Sequence, residues 1–155
     1  MGDTPMELVT ALQGAAPQIV DEALTSVERM HVRHYERAGE VFTRGALADL
    51  FDLVLSSIRD RDVAPVVRFA EDLADQRFAA GFDISEVQTA FNALETAMWR
   101  RVVAAEAPAD LPEAVGLLST VFGVAKDALA CRYVSLAAQR RVPTLDLTAL
   151  FRGTV

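Results

Sequence analysis

The residues best suited to chemistry are few. His31 and His34 lie three apart, a spacing at which two imidazoles on one helix share a face and can hold a metal. A zinc site needs a third and usually a fourth ligand. Cys131 and Glu36 can be named, but no spacing selects them. The plainer reading is two partly exposed histidines beside Arg33 and Arg37. A haem needs at least a proximal histidine. Both histidines fall in the first quarter of the chain, on its second helix, whereas a globin places that ligand on a much later one. Glu28-Arg29-Met30-His31 has the Glu-x-x-His form of di-iron bundles, which need two such motifs; there is no second copy. No metal or cofactor site is therefore assigned.

Cys131 stands beside Arg132, which would favour a thiolate. No partner base or nucleophile signature accompanies it, and it reads as a buried structural cysteine. The carboxylates Asp49, Asp52, Glu71, Asp72, Asp75, Glu86 and Glu95 read as a solvated face. Arginines lie within a turn of several of them, as in Asp72/Arg68 and Asp75/Glu71/Arg77. The glycines form neither a Gly-x-Gly-x-x-Gly turn nor a Walker-type loop. The residues carry no catalytic set, so the chain is read as a non-enzyme. Phe78, Phe82, Phe91, Trp99, Phe122 and Tyr133 recur at helical spacing. They are read either as core packing or as the lining of an apolar ligand pocket between helices.

The elements that would position these side chains are all helical. The strongest is Asp83 to Val102. Asp83 can cap it, with Glu86 three residues on to complete a capping box. Ile84, Val87, Phe91, Leu94, Met98 and Val102 form one apolar stripe, widened by Ala90, Ala97, Trp99 and Val103. Before it come a short helix from Met6 to Ala16 and a second from Pro17 to about Ala38, with Ile19, Ala23, Leu24, Val27, Met30 and Tyr35 inward. A third follows from Glu40 to about Arg59, weakened early by Gly45, with Val41, Leu47, Leu50, Phe51, Val54, Leu55 and Ile58 inward. A fourth is opened by Asp62 and closed by Gly81. A long final helix spans about Pro112 to Arg141. The chain is predicted to be all-α: a single antiparallel bundle of five or six helices over residues 1–142, with a short tail at 143–155.

Bulk properties agree with one globular domain. The chain has 155 residues, 52% of them hydrophobic and 24% charged. A formal net charge of −7 argues against nucleic acid and against an anionic membrane surface. One cysteine suits a reducing compartment, no signal peptide is evident, and no continuous apolar run approaches the roughly 20 residues of a membrane span. A cytoplasmic location is expected.

The middle of the chain resembles a known family. Tyr35-Glu36-Arg37, the run from Phe69 to Val87, and Ala97-Met98-Trp99-Arg100 are similar to the N-terminal helical domain of RsbR-type bacterial stress regulators, the RsbT co-antagonists. The resemblance spans about residues 15–135. Its best part is Arg77-x-x-x-Gly81-Phe82-x-x-x-Glu86-Val87 running into the Ala97-x-Trp99 helix. It implies a sensory or protein-interaction module without catalysis of its own, globin-like but lacking haem, and dimeric. A regulatory protein partner and a homodimer are thus expected. Leu145, Leu147, Leu150 and Phe151, large apolar residues in the tail, are the expected dimer contacts together with the final helix.

Overall fold

The computed structural model describes residues 3–105 and 109–141. Seven helices make up the described chain, with no strand among the described residues: α1 (Thr4–Gly14), α2 (Ala16–Arg29), α3 (Arg33–Ala38), α4 (Glu40–Asp60), α5 (Ala64–Ala79), α6 (Ile84–Ala105) and α7 (Leu111–Arg141). The all-α expectation holds. The extra helix arises because the expected second helix is broken in two. His31 takes φ 50° in the left-handed region, Val32 is extended, and the chain restarts at Arg33. The break turns Val32 and Tyr35 inward, 8% and 3% exposed. Met30, expected inside, is left outside at the end of α2.

The core follows the predicted stripe. Val87, Phe91, Leu94, Met98 and Val102 of α6 are buried, as are Leu118, Phe122, Leu129 and Tyr133 of α7. α6 lies against α2 on one side and α7 on the other, and α7 packs along α5. Besides Met30, three apolar residues expected inside are exposed instead. Trp99 and Val103 sit on the outer side of α6, and Val41 is almost fully exposed in the first turn of α4. An α-helix turns about 100° per residue. Trp99 and Val103 are one residue beyond Met98 and Val102, enough to leave the stripe. Gly45 does not delay α4, which starts at Glu40.

Cys131 was expected to be buried but is exposed. It lies two residues from both Leu129 and Tyr133, and two residues rotate a side chain to the far face of a helix. α7 has the expected length, and it is more apolar as a whole than its lack of an unbroken apolar run implied. One 18-residue window has a mean hydropathy of 1.5, enough by length and composition to cross a membrane. No uninterrupted apolar run reveals it, because the window's value comes from Ala, Val and Leu interleaved with small polar residues. Only 33% of that window is buried in the bundle. The tail residues Leu145, Leu147, Leu150 and Phe151 lie outside the described residues.

Candidate functional site

The α5–α6 connection is built by the Arg77-x-x-x-Gly81-Phe82-x-x-x-Glu86 segment. Gly81 adopts φ +86°, a conformation that side-chain-bearing residues rarely take. It allows Phe82 N–H to donate to the Arg77 carbonyl (2.9 Å) and Gly81 N–H to the Phe78 carbonyl (3.1 Å). These two bonds form a Schellman motif, which satisfies the last carbonyls of α5 and brings the residue after the glycine back over the last turn. Here that residue is Phe82, and it lands on Arg77: the guanidinium carbon is 5.3 Å from the Phe82 ring centre.

Glu86 then fastens the start of α6. Its Oε2 accepts from Asp83 N–H (2.8 Å), the Glu half of the expected capping box. Its Oε1 accepts from the backbone N–H of His34 (2.9 Å), and Oε2 also accepts from His34 Nδ1 (2.7 Å). A single carboxylate thus ties the first turn of α6 to the first turn of α3. Burial by itself would raise the Glu86 pKa. The hydrogen bonds from His34 and Asp83, with the nearby imidazole, outweigh it and hold the carboxyl below its ordinary value of 4.5. The imidazole of His34 lies against Phe82, ring centres 4.9 Å apart. Phe82 also meets Tyr35 edge to face at 5.0 Å, and its carbonyl accepts from the Tyr133 hydroxyl (3.1 Å). Burial pushes the Tyr133 phenol up to about 12, so it is a neutral donor at ordinary pH.

Arg77 is the unusual member. Only 8% of it is exposed. Its guanidinium carbon lies 4.6 Å from the centre of the Phe42 ring and 5.8 Å from that of Tyr35, besides Phe82. No carboxylate pairs with it among the described residues; the Asp75 once grouped with it binds Arg132 instead (2.7 Å). Its Nε–H is buried without any hydrogen-bond partner. The residue also lines a cavity of about 420 Å³ between α4, α5 and α6, with Phe42, Leu50, Phe69, Leu73 and Phe91 among the apolar walls. Burial pushes the Tyr35 phenol up, and the neighbouring Arg77 guanidinium pulls it partly back.

The residues singled out from the sequence are dispersed. Phe91 reaches this cavity. Phe78 meets Tyr133 edge to face at 5.7 Å and does not line the cavity. Phe122 is wholly buried in the core, while Trp99 faces outward. Phe82 stands over Arg77. The two histidines do not share a ligand: His31 is largely exposed and bonded to Glu36 (2.7 Å), whereas His34 faces Glu86. No group of three His, Cys, Asp or Glu side chains close enough for a metal occurs among the described residues.

Sequence reasoning took Arg77 for a surface charge, and the signal against that was available. Arg77 continues the register of Ala70, Leu73 and Ala74, which are buried on α5, at the three- and four-residue steps of an inward stripe. His34 and Glu86 are 52 residues apart in the chain, and no local pattern pairs them.

No curated protein matches the chain. The family described as "RsbT co-antagonist protein rsbRD N-terminal domain" matches residues 13–141. That range opens at the end of α1 and closes with α7, so it contains the Arg77–Glu86 segment and every helix from α2 onward. The chain is a member of the RsbT co-antagonist rsbRD N-terminal domain family.

Proposed function

We propose that this chain is a non-catalytic regulatory module that acts in the cytosol by binding a partner protein, of which an RsbT-type regulator is the first candidate. The observation that carries the reading is the family match across 13–141, in a family described as co-antagonists of RsbT. The surface offers a place for such contact. Trp99 and Val103 lie one turn apart on the outer face of α6, 46% and 42% exposed. Arg100, the next residue on the helix, is exposed and bonded to Glu22 of α2 (2.7 Å). An exposed tryptophan is among the residue types enriched at interface hot spots.

Retention of a purified RsbT-type protein on the immobilised chain tests this. Trp99→Ala is expected to weaken retention by about tenfold or more. It should leave the unfolding midpoint nearly unchanged, since half-exposed side chains contribute little to stability. Equal retention by wild type and variant would remove Trp99 from the interface. No retention by either would remove the reading.

The module is further proposed to be a homodimer through α7. At 31 residues the helix is about 46 Å long, only 33% of its most apolar window is fully buried, and Val134 is 68% exposed. Two-fold pairing is the commonest way for such a face to close. Light scattering should give twice the 16.8 kDa chain mass. A monomer would contradict the assembly, and Val134→Glu should convert dimer to monomer.

A further inference from the structure

The cavity beside Arg77 combines features that neither core packing nor partner binding explains. A guanidinium always carries its charge, and removing it from water is costly unless an anion or several acceptors receive it. Here the faces of Phe42, Phe82 and Tyr35 surround it at 4.6 to 5.8 Å. Aromatic faces recover part of that cost by cation–π attraction. They supply no counter-ion, and Nε–H, itself sealed from solvent, has no acceptor. The same side chain borders a cavity whose volume, about 420 Å³, is in the range of small-molecule sites. Its other walls are mainly apolar. Asp49, the acid on the lining, is exposed, so its charge is met by water. Gln76 and the neutral Tyr35 phenol supply further polar groups.

We propose that this cavity binds a compact apolar monocarboxylate, with its carboxylate on Arg77 and its hydrocarbon body against Leu50, Phe69 and Phe91. A carboxylate can take two parallel charge-assisted bonds from the two terminal nitrogens of the guanidinium, which, unlike Nε, are not sealed from solvent. A phosphate dianion fits less well, because the lining holds one arginine and an acid instead of several cations. Phe42, 40% exposed beside the almost fully exposed Val41, lines the cavity with its ring against the Arg77 guanidinium. That such a ligand would be the input of the module rests on the regulatory reading above; the binding itself does not.

Titration calorimetry of the full chain with octanoate and with phenylacetate, each against its neutral amide, tests the site. Saturable binding of either acid is expected, with its amide weaker by at least about tenfold. Arg77→Met keeps an unbranched apolar stem under the aromatic rings and should weaken acid binding by at least the same factor. Ala46→Phe, on the α4 wall, fills the cavity while leaving Arg77 in place, and should abolish binding even if the arginine variant fails to fold. The proposal is overturned if neither acid binds the wild type, if the amides bind as well as the acids, or if either folded variant binds as the wild type does. Retention of the RsbT-type protein is a separate readout, so failure of one result leaves the other standing.

Discussion

Replacing Phe122 by alanine should lower the free energy of unfolding by about 3–5 kcal/mol, as measured by urea denaturation. Phe122 is fully buried near the middle of α7, on the stripe with Leu118, Ala125 and Leu129 that meets the rest of the bundle. Truncating it removes a whole ring from a close-packed interior, and neighbours fixed on several helices cannot all move in to fill the space. That loss is a large part of a typical domain's stability of about 5–15 kcal/mol. Phe122 does not line the Arg77 cavity. The folded fraction of the variant should therefore bind octanoate as the wild type does, so the substitution separates packing from ligand contact. A loss below about 1 kcal/mol would mean that the residue does not sit in a filled core.

Glu86→Ala should cost about 2–4 kcal/mol, because three donors lose a charged acceptor at once. Two of them are backbone N–H groups, those of His34 and Asp83, at the start of α3 and α6. The pH dependence gives a second signature. The Glu86 carboxyl sits below its ordinary value of 4.5 in the folded chain. Its contribution is therefore complete above about pH 4.5, the unfolded value, and is lost as pH falls through the depressed folded value. Wild-type stability should fall across that acid window more steeply than that of Glu86→Ala. Parallel pH profiles for the two proteins would refute the role given to this carboxylate.

How far the sequence foretold these features depends on the range of the interaction. The α6 stripe from Val87 to Val102 and the α7 stripe from Leu118 to Tyr133 were readable because helical periodicity is a local property. Gly81 as the end of α5 and Glu86 as half of a capping box were readable for the same reason. The break at His31 was not, because its cause is the burial of Val32 and Tyr35 against other helices. Helical propensity in residues 17–38 gave no warning of it. Trp99 and Val103 were misplaced because apolar character does not fix which side of a stripe's edge a residue falls on. Cys131 was misplaced because residue type outweighed its register with Leu129 and Tyr133.

The candidate site was less legible than the fold. Within the Arg77–Glu86 motif, Gly81 and Glu86 had a local structural role in the sequence, but Arg77 and Phe82 were identified without a structural cause. The Schellman turn supplies that cause: it stacks Phe82 on Arg77 and delivers Glu86 to His34. The arrangement depends on α3 and α4 meeting α5 and α6, which no spacing within one helix discloses. The aromatic set proposed as a pocket from the sequence shares only Phe91 with the cavity the helices enclose.

The most direct measurement of the central claim is a calorimetric titration of the purified 155-residue chain with a purified RsbT-type protein. The account predicts saturable binding to the wild type and binding weaker by about tenfold or more for Trp99→Ala. Absence of heat and of co-elution for a folded wild-type chain would contradict a module that works by binding this class of partner.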